Sequence, residues 1–245
     1  MNPEIIYEDQ DFYICYKPVG MATQTASVTR PDMVSYLRNV RASQGQDSYI
    51  GVIHRLDQPV EGLVVFAKNK KAAANLSNQV QAHTIEKHYL CIVTSEELCP
   101  EGVLEDYLVK DMKNQMAKVV TEADRQSKLA RLRYKEIETK NQMRLLEVAL
   151  ETGRFHQIRC QLANQDAPIL GDRKYGGDEN RGLCLASYKL GFTHPRTGKR
   201  IEYAILPKGE KFQEFKAIQG NGEFNEDTVT RRCKDDNRDL GGTWL

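Results

Sequence analysis

Two apolar runs frame one irregular stretch of the chain, and they predict a strand on either side of a loop. The runs, Val52-Ile53 and 63–67, are rich in the β-branched and aromatic residues that pack well on a pleated sheet. Between them, Pro59 has no amide hydrogen for a sheet, and Gly62 can take backbone angles closed to other residues. Loops held on a rigid base in this way often carry functional side chains.

Apolar and polar residues alternate through much of the chain, which is typical of antiparallel strands with one covered face. The predicted strands are an opening hairpin over 4–16, strands at 103–109, 117–120, 130–137 and 143–150, and a closing hairpin with arms 183–192 and 200–206. The run 89–93 is apolar on both faces and therefore indicates a central strand.

Apolar spacings of three and four predict helices at three places. One begins at Pro31-Asp32 and continues to Val40, a second spans 70–82, and a third closes the folded part at 208–218. Residues 1–218 are thus predicted to form one α+β domain. The remainder, 219–245, is polar and rich in Gly, Asn and Asp, so we expect a disordered tail.

A fourth helix is predicted just after residue 151, where the apolar period changes from two to about 3.6. Its apolar stripe consists of Phe155, Ile158 and Leu162, and Thr152 or Gly153 is placed to cap its start. Arg154 is expected in its first turn, where the exposed amides favour an anion. His156 and Arg159, three residues apart, are expected on a neighbouring face.

The composition indicates a soluble globular protein, because 40% of the residues are hydrophobic and 28% are charged. The net charge of +1 excludes no partner, since the acidic first twelve residues offset a middle rich in Lys and Arg. The amino-terminal residues lack a secretory signal, and no apolar run is long enough to span a bilayer. We therefore expect a cytoplasmic protein with reduced thiols. The cysteines, which have no zinc-site spacing, are Cys15, Cys91, Cys99, Cys160, Cys184 and Cys233.

The loop between the first two apolar runs contains His54-Arg55-Leu56-Asp57, in which Arg55 and Asp57 project to the same side of an extended chain. A tetrapeptide of this kind could be a solvated turn with a surface ion pair, which stabilises a protein by only about 0–1 kcal/mol.

Common catalytic motifs are absent: there is no phosphate-binding P-loop, no Gly-x-Ser-x-Gly, no His-Glu-x-x-His and no Gly-x-Gly-x-x-Gly before a helix. These absences disfavour a nucleotide hydrolase, a serine hydrolase, a zinc peptidase and a dinucleotide enzyme.

Seven blocks, taken together and in order, resemble the RluA-like family of RNA pseudouridine synthases, which isomerise uridine in RNA. The blocks cover 16–20, 54–57, 62–68, 87–89, 152–159, 171–176 and 192–198. The resemblance extends over about residues 4–207 and implies an α+β fold, with a large, mostly antiparallel mixed sheet, flanking helices and a central catalytic cleft. It implies no metal and no diffusible cofactor.

The resemblance assigns catalytic roles to three residues. Asp57 matches the catalytic aspartate, which attacks uridine at the sugar or at the base ring. Arg159 matches its cationic partner, and an Arg within about 4–6 Å typically lowers the pKa of an Asp by 1–3 units. Tyr89 matches the tyrosine that stacks on the flipped base and has been proposed to assist proton removal.

The resemblance also implies that Arg55 enters the RNA stack where the target uridine has left, because a planar guanidinium can stack on bases. The other residues expected to contact RNA are His54, Arg154, His156, Arg173 and Lys174.

The chain departs from many relatives at several positions. It has Val60-Glu61 where they carry Thr-Ser, and it lacks histidines at Gln161, Ala167 and Ala186. Glu61 is expected near a phosphate channel, where it would weaken anion binding and alter substrate choice. Many relatives also carry an amino-terminal S4 domain, whereas here the pattern begins almost at the first residue, so we expect RNA recognition by the catalytic domain itself.

The predicted function is therefore isomerisation of uridine in rRNA or tRNA by a monomeric enzyme. One alternative, motivated by Val60-Glu61 and the missing histidines, is a non-catalytic RNA-binding or ribosome-assembly protein on the same fold. A third hypothesis is a small-molecule enzyme that uses Asp57 and His156, for which RNA affinity would not depend on salt.

Overall fold

A single eleven-stranded sheet organises the chain. The computed structural model describes residues 2–25, 29–121, 126–178 and 182–219. The strands are β1 (Glu4–Glu8), β2 (Phe12–Lys17), β3 (Gly51–Val52), β4 (Glu61–Ala67), β5 (Glu86–Val93), β6 (Glu101–Asp111), β7 (Met116–Val120), β8 (Lys128–Lys140), β9 (Met143–Leu150), β10 (Leu185–Thr193) and β11 (Arg200–Ala204). These bounds agree with the alternating and apolar runs of the sequence.

The strands follow the order β1-β2-β4-β10-β5-β9-β8-β6-β7, with β11 beside β10 and β3 beside β4. β10 pairs with β4 in parallel, and the other pairs are antiparallel. The predicted mostly antiparallel mixed sheet is thereby confirmed. β5 lies between β10 and β9, which confirms its central position.

Two helices begin where the sequence predicts them. α1 (Met33–Ser43) is capped by Asp32, whose carboxylate accepts the amide of Ser35 while the Ser35 hydroxyl accepts the amide of Asp32. α2 (Lys70–Gln81) is capped in a simpler way, because Asn69 accepts the amide of Ala72. Among the described residues, no helix is long and apolar enough to cross a membrane.

The helix after residue 151 begins later than predicted: α3 spans Gln157–Ala163. The expected cap was wrong because the Thr152 hydroxyl accepts the backbone amide of Arg131 near the start of β8. His156 then takes a left-handed conformation, with φ of 51°. Residues 152–155 are therefore a loop fastened to the sheet. Arg154 precedes the helix instead of occupying its first turn, and Phe155 is 36% exposed instead of buried.

The buried apolar residues of the described chain form three clusters: a large one, a second of intermediate size, and a small one between β6, β7, β8 and α3. α1 and α3 contribute Leu37 and Ile158 to the larger cluster, which also contains Tyr89. α2 contributes Leu76 to a second cluster with the alternate residues of β2 and β4. The side chain of Asp57 therefore projects from a loop that is supported by fully buried strands.

The closing helix predicted over 208–218 was also wrong, because only a short 3-10 helix forms, at Glu210–Glu214. Phe215 is extended after it, and Phe212 and Phe215 bury their rings in the larger cluster. The tail predicted over 219–245 lies outside the described residues except for Gln219, and the 1–218 domain boundary stays a prediction.

Candidate active site

The loop between β3 and β4 is held in place by one threonine. The Thr23 hydroxyl accepts the Leu56 amide at 3.1 Å and donates to the Leu56 carbonyl at 3.0 Å. Both residues are buried. Because Leu56 lies between Arg55 and Asp57, this pair of hydrogen bonds fixes the backbone that presents both side chains.

A buried lysine supports the same loop from the other side. Lys17 is fully buried, and its ammonium donates to the carbonyls of Pro18, Met21 and Gln58 at 2.7–3.1 Å. Burial lowers the pKa of Lys17 to about 8, although the negative charges of Asp57 and Glu61 oppose the shift. The end of β2 is thus fastened to the residue that follows Asp57.

Asp57 meets Arg159 across 102 positions of sequence. Arg159 Nη1 lies 3.1 Å from Asp57 Oδ2, while its Nε and Nη2 bind Asp172 Oδ2 and Oδ1 at 2.7 and 2.8 Å. The Asp172 side chain is 0% exposed and that of Asp57 is 28% exposed. Burial opposes the charge of Arg159, but the two carboxylates outweigh it and raise the pKa of the guanidinium. Asp172 thus orients an arginine that faces the Asp57 carboxylate.

His156 is the second group at the Asp57 carboxylate. Its Nε2 lies 3.3 Å from Asp57 Oδ2, and its Nδ1 lies 3.0 Å from the Tyr175 hydroxyl. Since that hydroxyl oxygen accepts the Ala117 amide at 2.6 Å, its proton can point to Nδ1, which places the imidazole proton on Nε2, facing Asp57. Burial lowers the pKa of His156 to about 4 despite the opposing charge of Asp57, so the ring is neutral near pH 7.

Tyr89 lines a pocket beside Asp57, Arg159 and His156. The pocket is lined by Arg55, Leu56, Asp57, Val60, Tyr89, Leu150, Arg154, His156, Gln157, Ile158, Arg159 and Leu185. Tyr89 is only 6% exposed, and burial together with the charge of Asp57 raises the pKa of its phenol. At neutral pH the side chain is therefore a neutral aromatic ring with a hydroxyl group.

Arg55 and Arg154 bring positive charge to the rim of this pocket. Arg55 is exposed, and its Nη2 donates to Gln24 Oε1 at 3.1 Å. Arg154 donates from Nε to the Leu129 carbonyl at 2.8 Å and lines the pocket. Both side chains can reach an anion without breaking a buried ion pair.

The other three residues expected to contact RNA do not line the pocket. His54 accepts the Val65 amide through Nε2, its Nδ1 is buried, and burial lowers its pKa to about 3, so it holds β4 and offers no charge to a phosphate. Arg173 and Lys174 are exposed, and Lys174 Nζ donates to the Gln115 carbonyl at 2.9 Å.

Glu61 does not lie in a phosphate channel, and that expectation was wrong. It is 3% exposed, and its carboxylate accepts the Tyr16 hydroxyl and the amides of Lys208 and Gly209, the last two at 2.9 and 3.0 Å. Glu61 also starts β4, where Gly62 has a φ of 118° and approaches the backbone of Ser187. Val60, not Glu61, faces the pocket.

Sequence reasoning missed the supporting residues Thr23, Lys17, Asp172 and Tyr175. The last three fall within blocks shared with the family, and a carboxylate in the 171–176 block could have been proposed as a partner for the arginine. No local pattern marks Thr23, because its partner Leu56 is 33 positions away.

Comparisons with known proteins found a matching family model and several relatives. The family model described as RNA pseudouridylate synthase matches residues 11–164. A Bacillus subtilis protein named as an RNA pseudouridine synthase is 32% identical over 216 residues, which cover 85% of this chain and 70% of that protein. A Rickettsia bellii protein named ribosomal large subunit pseudouridine synthase C is 33% identical over 176 residues, which cover 71% of this chain and 57% of that protein.

The fold also occurs in solved structures. Human RNA pseudouridylate synthase domain containing 4 superposes with a TM-score of 0.70 at 20% identity, over 84% of this chain and 89% of that one. At this identity the likeness concerns the architecture of the sheet and its helices.

Proposed function

The chain belongs to the RNA pseudouridylate synthase family, and from that premise we propose that it converts uridine in RNA to pseudouridine with Asp57 as the nucleophile. The observation that carries the proposal is the Asp57 carboxylate, which is partly buried in a pocket beside Tyr89 and held at 3.1 Å from Arg159. A carboxylate nucleophile must remain ionised while water is excluded, and a fixed guanidinium makes the two compatible.

The reaction needs no external reactant, because it is an isomerisation. The bond from N1 of uracil to C1′ of ribose breaks, a bond from C5 to C1′ forms, C5 loses its proton and N1 gains one. Asp57 attacks either C1′ or the base ring and is released when the new bond is complete. We therefore propose an enzyme without metal or diffusible cofactor that acts as a monomer.

The protonation of the neighbouring groups supports separate roles for them. Tyr89, whose phenol has a raised pKa, is suited to stack on the uracil ring and to donate a hydrogen bond instead of acting as a phenolate base. The neutral His156 holds the Asp57 oxygen that Arg159 also contacts. One carboxylate oxygen is thus restrained, and the other is available to the substrate.

Access to the glycosidic bond requires the uridine to leave the RNA stack, which costs a few kcal/mol. We propose that Arg55 fills the vacated position and that Arg154, Arg173 and Lys174 bind phosphates. The substrate is ribosomal or transfer RNA. The relative named for the ribosomal large subunit makes rRNA the first class to test. The five described cysteines form no disulfide, which is compatible with action in the cytoplasm.

The test is release of tritium from C5-tritiated uridine in rRNA and tRNA transcripts. Asp57→Asn keeps the side-chain shape but removes the nucleophile, so we expect loss of tritium release with RNA binding retained. Asp166→Asn is the matched control: Asp166 is exposed, and asparagine tolerates its φ of 52°.

Equal release by Asp57→Asn and the wild-type protein would exclude Asp57 as the nucleophile. Absence of release from every transcript, with RNA bound normally by both proteins, would favour a non-catalytic RNA-binding protein. One observation that motivated that alternative no longer supports it, because the Glu61 carboxylate accepts the amides of Lys208 and Gly209 and does not line the pocket.

A further inference from the structure

A row of stacked side chains leads away from Asp57 along the protein surface. The Phe155 and His156 rings are stacked, with centroids 3.9 Å apart and planes at 18°, and His156 in turn contacts Asp57. Lys110 Nζ lies 4.5 Å from the centroid of the Phe155 ring. The row therefore joins the nucleophile to the end of β6.

Phe155 is unusual because it is exposed. It is 36% exposed, whereas the five other phenylalanines of the described residues are at most 2% exposed. Its neighbours in sequence, Arg154 and His156, both line the pocket. His156 covers one face of the Phe155 ring and the Lys110 ammonium lies over the other, so a nucleobase can stack on the ring when the exposed, flexible Lys110 side chain moves aside.

Lys110 supplies a positive charge at the same place. Within the described part of the chain it forms no ion pair, while Asp111 beside it is already paired with Lys118 at 2.8 Å. Its ammonium interacts with the Phe155 ring and is exposed. A phosphate could therefore bind Lys110 without breaking a salt bridge.

The hairpin of β6 and β7 is fixed relative to the catalytic residues. The Ala117 amide of β7 donates to the Tyr175 hydroxyl, which contacts His156, and Lys174 Nζ donates to the Gln115 carbonyl. Lys110 and Phe155 are thus placed by contacts that also place His156. This arrangement fixes the position of the Phe155 ring before any ligand binds, so that only the Lys110 side chain has to move.

We propose that Phe155 is a stacking platform for the nucleobase next to the target uridine and that Lys110 binds the phosphate of that nucleotide. The proposal rests on the proposed function in one respect, that the ligand is an RNA strand delivering its uridine to Asp57. RNA recognition of this kind uses unstacked single-stranded bases, which fit a flat ring beside a lone cation.

The test measures binding of a fluorescently labelled single-stranded oligouridylate at several salt concentrations. Phe155→Leu keeps the apolar volume but removes the aromatic face, and we expect binding about tenfold weaker, near the lower end for base stacking. Phe155→Tyr should bind within about twofold of wild type, because the ring remains. Lys110→Gln should weaken binding and reduce the slope of log affinity against log salt by about 0.7, the value for one phosphate on a single strand.

Lys71→Gln is the matched control, because Lys71 is exposed on α2, which packs in the cluster that also contains residues of β2 and β4. This substitution should change neither the affinity for oligouridylate nor its salt slope. Urea denaturation checks that the Phe155 variants remain folded. Unchanged binding by Phe155→Leu, equal weakening by Phe155→Leu and Phe155→Tyr, or an unchanged salt slope for Lys110→Gln would overturn the proposal.

The two proposals can fail separately. Normal tritium release with unchanged oligouridylate binding by Phe155→Leu would reject the stacking platform and leave the reaction in place. Weakened binding by Phe155→Leu, without tritium release from any transcript, would support the platform and reject the isomerase.

Discussion

Asp172→Asn should weaken the hold on Arg159, the residue that contacts the nucleophile Asp57, while the shape of the side chain at position 172 is preserved. Asp172 holds Arg159 through two charged hydrogen bonds of 2.7 and 2.8 Å, and its side chain is 0% exposed. The substitution removes the negative charge and turns an amide NH₂ group, a donor, toward a guanidinium that is also a donor. Asp57 would then be the remaining negatively charged partner of Arg159.

The expected cost can be bracketed from the contacts. Breaking a fully buried ion pair by removing one partner typically costs about 3–5 kcal/mol. Arg159 retains Asp57 at 3.1 Å, and asparagine keeps one acceptor, so we expect a value at or below the lower end, about 2–3 kcal/mol. The rate should also fall, because Arg159 can rotate away from the carboxylate it orients.

Urea denaturation measures the first effect and single-turnover tritium release the second. The exposed Asp166→Asn substitution controls for the loss of one carboxylate. A double-mutant cycle with Arg159→Gln should give a coupling energy of about 1–3 kcal/mol between positions 159 and 172. A change in unfolding free energy below about 0.5 kcal/mol, which is typical of surface substitutions, together with an unchanged rate, would refute the reasoning.

Three further predictions concern residues around the site. Thr23→Val should lower kcat with little change in RNA binding and cost about 1–3 kcal/mol in urea denaturation, because it leaves the buried amide and carbonyl of Leu56 without partners. Glu61→Gln should cost about 2 kcal/mol of stability, since two backbone amides lose a charged acceptor, but kcat/KM of the folded protein should stay within about twofold. Folded-state pKa values of about 3 for His54 and about 4 for His156 lie below the usual 6.5, so the unfolded chain binds more protons in this range. The unfolding free energy measured in urea should therefore be highest above about pH 6.5 and fall as the pH decreases toward 4, by an amount on the order of 3 kcal/mol for each of the two histidines.

Each of these predictions has its own control. Thr23→Ser keeps the hydroxyl and should restore kcat, and an equally slow Thr23→Ser would remove the hydrogen bonds as the cause. Stronger RNA binding by Glu61→Gln would mean that Glu61 repels phosphate after all. His156→Asn should flatten part of the pH dependence, and a stability independent of pH in that range would contradict the buried neutral histidines.

The strands could be predicted because their signal is local. Alternation and apolar runs located the strands of the sheet, and the predicted starts of two helices, at Pro31-Asp32 and at residue 70, were correct. The start of α3 could not be predicted in the same way, because the Thr152 side chain that resembles a cap is used by β8. Phe155 was consequently assigned to the core when it is exposed.

The site depends on contacts between distant parts of the chain. The pairing of Asp57 with Arg159 was expected from family resemblance, whereas the Asp172 partner and the Thr23 contact are formed only in the folded chain and have no local sequence pattern. Glu61 was misjudged for the same reason, since its backbone partners are 147 and 148 positions away. The sequence shows that residue 61 carries a negative charge, but only the folded structure shows that this charge faces the backbone of 208–209 and not the pocket.

The central claim is that Asp57 isomerises uridine in cellular RNA, and the most direct test is transcriptome-wide pseudouridine mapping in cells that lack the gene. The mapping would be repeated after complementation with wild type, Asp57→Asn or Asp166→Asn. We predict that specific uridines lose the modification, that wild type and Asp166→Asn restore it, and that Asp57→Asn does not. An unchanged map in the deleted cells, or restoration by Asp57→Asn, would contradict the claim.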